Sequence, residues 1–168
     1  MKIPKFEAQT EWVKPTEFPD LRQVEEIAID LETKDPDLIK RGSGSVIGNG
    51  EVIGIAVATK HYKGYFPIAH EGGGNMDRSR VLSWLKDILE APSTKVFHNA
   101  IYDVCWLRSM GFKIFGVIAC SMIASALRDE NRFRYSLNEL GKDYLKETKS
   151  EALLYEAAKE WGVNAKAE

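Results

Sequence analysis

Cysteine is scarce in this chain: Cys105 and Cys120 are the only two among 168 residues. Both sit among apolar neighbours, at a spacing that fits neither a zinc site nor a disulfide framework, which points to a reducing, cytoplasmic setting. No apolar run is long enough to span a bilayer, and the start Met1-Lys2-Ile3-Pro4-Lys5 has no signal-peptide core. Neither sign of charge prevails, since 23 basic against 25 acidic residues leaves −2. Bulk charge therefore does not announce a polyanion binder, although a local patch or a metal ion can hold phosphate on a near-neutral protein. A phosphate-binding loop is missing too: Gly72-Gly73-Gly74 lacks the lysine and hydroxyl residue of such a loop and reads as a flexible turn. There is no internal repeat and no low-complexity segment.

What is present is a soluble globular composition, 44% hydrophobic and 29% charged, of a length that suits one domain. Residues 1–23 hold Pro4, Pro15 and Pro19 with little periodicity and read as an extended arm lying on the domain formed by residues 24–168. The stretch Glu25 to Thr33 then reads as a buried strand, rich in β-branched residues, that ends in Asp30-Leu31-Glu32. Side chains alternate along a strand, so Asp30 and Glu32 project from one face. Two neighbouring carboxylates repel and want a cation between them, and hard ions with oxygen ligands, Mg²⁺ or Mn²⁺, suit the pair. The competing reading is a strand running into the solvated acidic turn Lys34-Asp35-Pro36-Asp37.

Residues 34–50 carry Pro36 and a run of small residues and read as a mobile loop or a short helix plus loop, able to close over a ligand or to serve as a plain connection. Strands follow at Val52–Thr59 and Gly64–Ala69. Apolar residues at helical spacing mark a helix from about Met76 to Glu90. A strand at Thr94–His98 and a helix at Ala100–Met110 follow, with Gly111 as the stop. Lys113–Phe115 reads as a short strand and Ile118–Leu127 as a helix. Ser136, with Glu139 at the capping-box position, opens a helix over Leu137–Leu145, and a last helix covers Ser150–Trp161. This order predicts an α/β fold: a mixed sheet of about five strands flanked by helices, with an antiparallel hairpin on one side and parallel crossovers on the other. The strands ending at Asp30 and His98 then lie side by side and open onto one crevice.

At that crevice stands His98-Asn99-Ala100-Ile101-Tyr102-Asp103. Asn99 and Asp103 are four apart and share a face if both are helical. Asp103 in the first helical turn meets the positive end of the dipole, which suits a metal-binding or phosphate-facing carboxylate as well as a simple helix-start charge.

Asp30-Leu31-Glu32-Thr33 followed by His98-Asn99-Ala100-Ile101-Tyr102-Asp103 resembles the DEDD 3′–5′ exonucleases of the ribonuclease H-like fold. With Asp129–Leu140 added, the chain looks like the proofreading domain of family A DNA polymerases, especially phage ones, over residues 25–161. The resemblance implies that Asp30, Glu32 and Asp103 are catalytic metal ligands for two Mg²⁺ or Mn²⁺ ions. It implies that Thr33, Leu38, His98 and Asn99 line the site for the 3′ end of single-stranded DNA, and that the setting is the cytoplasm of a bacterium or a phage-infected cell. Two departures stand out. Cys120-Ser121 replaces an aspartate–threonine pair, with a structural consequence only. The third motif, a tyrosine or histidine followed by a fourth carboxylate on a late helix, is not found. Tyr155–Lys159 carries lysine in place of the acid, and Tyr135–Glu139 lies in the earlier helix. The expectation is a C-terminally incomplete domain, weak or inactive alone. A polymerase domain or a separate chain would complete it. Alternatives are a binding or structural module of the same fold, or one half of a split enzyme.

Overall fold

The computed structural model describes residues 12–148 and 152–162. They divide into two compact units, residues 14–130 and, as the other, residues 12–13 with the described residues from 131 onward. The first unit carries the sheet. Strand β1 (Glu26–Lys34) leads to two short helical turns, α1 (Leu38–Arg41) and α2 (Gly44–Ile47). Then come β2 (Glu51–Ala58), β3 (Lys63–Pro67), helix α3 (Arg78–Glu90), β4 (Thr94–Phe97), α4 (Ala100–Ser109), β5 (Ile118–Cys120) and α5 (Ser121–Arg128). The five strands lie in the order β3-β2-β1-β4-β5. β1 pairs antiparallel with β2, and β2 with β3; β1 pairs parallel with β4, and β4 with β5. The mixed sheet expected from the sequence is therefore the fold, and β1 does lie beside β4.

Alternation decides which face of the sheet is packed. Along β1, Ile27, Ile29 and Leu31 are buried while Ala28, Asp30 and Glu32 are exposed. The buried side meets α3, whose Val81, Trp84, Leu85, Ile88 and Leu89 form its apolar stripe. Asp77 caps this helix by accepting from the Arg80 N–H at 2.8 Å. Phe66 of β3 and Trp84 of α3 have ring centroids 4.4 Å apart, and Phe18 stacks on Phe66 at 5.9 Å. Trp84 Nε1 donates to the Pro19 carbonyl at 2.8 Å. Residues near 18–21 are thereby fastened to the core by an aromatic cluster whose burial is worth about 1.5–3 kcal/mol per ring. Of the expected arm, residues 1–11 lie outside the described residues.

Two expectations fail around β5. The strand forms at Ile118–Cys120 rather than Lys113–Phe115, and the following helix starts at Ser121 rather than Ile118. The cause is Lys95 of β4. Its side chain is wholly buried, and its ammonium donates to the carbonyls of Ala91, of Ser93 at 3.0 Å and of Phe115 at 3.0 Å. Its backbone N–H takes the Val117 carbonyl at 2.8 Å. The Phe115 backbone is thus engaged by Lys95 and, through its N–H, by the Leu89 carbonyl at 2.9 Å, and pairing begins only at Ile118. Residues 34–50 adopt the helix-plus-loop alternative, as two helical turns. In the second unit, helix α6 (Leu137–Leu140) is capped by Ser136, which accepts from the Glu139 N–H. The expected helix to Leu145 continues instead as one π-helical turn over Gly141–Leu145, and α7 covers Ala152–Trp161. The first residues expected in that last helix lie outside the described ones. Arg132 pairs with Asp143 at 2.5 Å and lies over the Tyr144 ring.

Burial holds the Lys95 ammonium below the usual lysine range, yet three carbonyls depend on it. Lys95→Met should lower the unfolding free energy in urea by about 3 kcal/mol, because those carbonyls lose a charged donor that water cannot replace. A loss below about 1 kcal/mol would mean that solvent reaches them.

Candidate active site

β4 pairs with β1 only from Glu26 to Ala28. Beyond Ala28, β1 overhangs its neighbour, and Asp30 and Glu32 stand on the overhang. They lie within the strand rather than at its end, because β1 runs on to Lys34. The chain leaves β4 at Phe97 and enters α4 at Ala100, with two residues between. Asn99 makes that turn possible in the left-handed conformation, φ 62° and ψ 50°, a region that asparagine tolerates better than most residues. The expected shared helical face of Asn99 and Asp103 is therefore corrected: Asn99 precedes the helix and its side chain makes no capping hydrogen bond. The tight turn aims the first turn of α4 at β1.

Asp103, in that first turn, is 3% exposed. Its Oδ1 accepts from the Leu31 N–H at 3.0 Å. The contact joins residues 72 apart in sequence and seats the carboxylate between the strand positions of Asp30 and Glu32. The Asp103 carboxyl is pushed up to about 6, first by burial; the Leu31 N–H opposes, and the charges of Asp30 and then Glu32 add to the rise. All three carboxylates thus feel one another. Among the described residues, however, no group of three or more His, Cys, Asp or Glu side chains closes to the distances that would hold an ion. The fit of a divalent cation rests on the donor chemistry: two carboxylates on the overhang and a third from α4 form a hard-oxygen set.

The other predicted residues lie on β1 (Thr33), on α1 (Leu38) and in the passage from β4 to α4 (His98 and Asn99). His98 Nδ1 lies 2.9 Å from Ser121 Oγ, which itself donates to the Phe97 carbonyl at 3.2 Å. The serine proton is so engaged, and Nδ1 is then the donor to Ser121 Oγ. Thr33 turns toward Tyr102, with 2.7 Å between hydroxyls. Tyr102 donates to Asp35 at 2.9 Å, and both Asp35 oxygens lie 3.1 Å from the Gly44 N–H. Leu38 opens α1 and is 39% exposed. The 34–50 segment is thus fixed at Asp35, Gly44 and Asp37, which accepts from Asn49 at 2.8 Å. A Cβ at Gly44 would lie 1.8 Å from the Asn49 carbonyl oxygen, so only glycine fits. Sequence reasoning missed Tyr102, Asp35 and Gly44, and also Tyr65 and His70, which stand on the acidic face of the sheet. Gly54, inside a strand of β-branched residues, was the available signal, because an interior strand glycine marks a close approach.

A family model described as 3′–5′ exonuclease matches residues 16–165. The chain belongs to that family. It is an exonuclease domain of the ribonuclease H-like fold, related to DNA polymerase proofreading domains, in a family that generally depends on divalent metal. It is 34% identical to a DNA-directed DNA polymerase of Pseudomonas phage M6, over 94% of this chain and 25% of that protein. It is 31% identical to DNA polymerase DpoZ of Salmonella phage PMBT28, over 86% of this chain and 21% of that one. The chain thus spans about a quarter of the length of these relatives or less. In fold it resembles Brucella melitensis NrnC with bound Mg²⁺, with TM-score 0.57 and 20% identity, covering 79% of this chain and 59% of that one. Among the described residues no helix is long and apolar enough to cross a membrane.

The raised Asp103 pKa fixes the sign of a pH effect. The folded carboxyl holds its proton to about 6 against an ordinary value of 3.8. Its contribution is therefore complete below pH 3.8 and is lost as pH rises through 6. In the presence of a chelator, Asp103→Asn should be more stable than the parent at pH 8 by on the order of 2 kcal/mol. The two should converge near pH 4 in urea titrations. A constant difference across that range would assign the stability change to a cause other than this titration.

Proposed function

We propose that this domain removes nucleotides from the 3′ end of single-stranded DNA, with Asp30, Glu32 and Asp103 as its metal-binding carboxylates. The observation that carries the reading is the Asp103 carboxylate bonded to the Leu31 N–H between the two acidic residues of β1. Bound Mg²⁺ or Mn²⁺ would supply the Lewis acidity that activates the attacking water and steadies the departing 3′ oxygen. The chain's own part is positional. β1 presents Asp30 and Glu32 side by side, and α4 delivers Asp103 from the adjacent edge. His98, Asn99, Thr33 and Leu38 form the rim against which the last nucleotide would rest. Kinship with phage polymerases supports DNA as the substrate, a polymerase domain as the partner and the infected host cytoplasm as the place of action.

Three carboxylates offset the charge of one divalent ion better than that of two close together, so the rate should be modest unless a further carboxylate joins the site. A second reading, a nucleic-acid-binding module of the same fold, is favoured by the separation of the carboxylates among the described residues.

A 5′-labelled single strand incubated with the protein and Mn²⁺ should shorten stepwise from its 3′ end, and Asp30→Ala should reduce the rate by at least about a hundredfold. Binding that weakens steeply with salt, without shortening, would favour the module. Shortening that survives Asp30→Ala would remove the acidic overhang from the chemistry.

A further inference from the structure

The exposed face of the sheet carries more than the acidic pair. Asp30 pairs with Ala56, and Ala56 with Tyr65; Glu32 pairs with Gly54. Paired residues share a face, so Tyr65 stands on the same side as both carboxylates. Gly54, opposite Glu32, leaves a gap, and the Tyr65 ring leans into it. A Cβ built on Gly54 would lie 1.8 Å from the Tyr65 hydroxyl oxygen. The phenol therefore crosses β2 toward Glu32 instead of rising straight from β3. A phenol carries its proton at ordinary pH, so the Tyr65 hydroxyl has a hydrogen to donate.

The phenol is held from behind. His70 Nε2 lies 2.5 Å from the Tyr65 oxygen, with the rings edge-on at 69°. The His70 backbone is clamped in turn. Its N–H donates to Asn75 Oδ1 and its carbonyl accepts from Asn75 Nδ2, each at 2.8 Å. Glu71, the next residue, pairs with Lys34 at the far end of β1. The loop after β3 is thus tied to the strand that carries the acidic pair.

We infer that Tyr65 and His70 form a positioning relay for Glu32: His70 donates to the Tyr65 oxygen, and the Tyr65 hydroxyl directs its proton at the Glu32 carboxylate. A hydroxyl has one proton to give; a donor behind it leaves that proton for the acid in front. A carboxylate steadied this way loses less freedom when it meets a cation, as do other metal ligands held by an outer hydrogen bond. This role rests on the acidic site proposed above. In this role Tyr65 acts through Glu32.

Calorimetric Mn²⁺ titration of the whole chain, with the single-strand assay beside it, tests the relay. Tyr65→Phe keeps the ring and removes the proton. It should weaken Mn²⁺ binding and lower kcat by about tenfold while leaving KM for the oligonucleotide unchanged. His70→Leu should do the same in part, and His70→Gln, whose amide can donate, should recover most of the loss. Gly54→Ala, which displaces the phenol and removes no polar group, should match Tyr65→Phe. In a Glu32→Gln background, Tyr65→Phe should cost no further Mn²⁺ affinity, and equal loss in both backgrounds would overturn a route through Glu32. If the parent protein binds Mn²⁺ and shortens strands while Tyr65→Phe and His70→Leu both equal it, the relay is overturned and the acidic site stands. A parent that neither binds Mn²⁺ nor shortens strands overturns the relay and the site together.

Discussion

The bond from the Leu31 N–H to the Asp103 carboxylate is the constraint on which the site depends. It places a carboxylate that is almost without solvent contact beside two others of like charge. Burying a charge against like charges is unfavourable, and one N–H bond does not repay it. A chain selected only for stability would fill this position with an apolar side chain. Under the proposed function a cation would turn that repulsion into attraction. Asp35, an acid of the same region, differs in this respect: it meets Tyr102 and the Gly44 N–H and serves as an anchor.

Much of this was legible in the sequence, for reasons that can be named. The period of two along Glu26–Lys34 fixes the face of Asp30 and Glu32 whatever the rest of the chain does. The long apolar periodicity of α3 and the stop at Gly111 are equally local signals. What was not legible depends on tertiary demands. Lys113–Phe115 and Ile118–Cys120 are both short triplets with at least two apolar residues near Gly116, and periodicity cannot choose between them. The choice is made by Lys95, a charged residue whose burial no local pattern announces. Asn99 fails for a similar reason. Four-residue spacing to Asp103 is helical only if no turn intervenes, and the two-residue passage from β4 to α4 demands one.

The Cys120-Ser121 pair illustrates how little chemistry a structural position requires. Cys120 Sγ lies 3.4 Å from the Ala100 N–H and accepts from it. Backbone N–H groups of Ala100, Ile123, Met122 and Asn99 together hold the thiol below its usual range against the effect of burial. An aspartate would fill that role with a full charge; sulfur fills it with a diffuse one. Ser121 keeps the other half of the task, bonding His98 and the Phe97 carbonyl. The turn that presents Asn99 is thus supported from β5 by a thiol and a hydroxyl.

The site exists because one strand is short. β4 has four residues and leaves β1 after Ala28, while β1 continues for six more. Had β4 matched its neighbour, the Leu31 N–H would be open to a ladder bond and α4 would start farther along the sheet. The short strand leaves a backbone donor without a strand partner, and the left-handed turn at Asn99 brings a carboxylate to meet it. On the other flank β2 pairs with β1 along the overhang, with a shift of register between Glu32 and Thr33, so the acidic residues stand on a paired ribbon. Gly54 then opens that ribbon's surface to a side chain from β3. An overhang held on one side, capped by a helix on the other and overlain through a glycine gap accounts for how a near-neutral chain concentrates its acidic chemistry at one place.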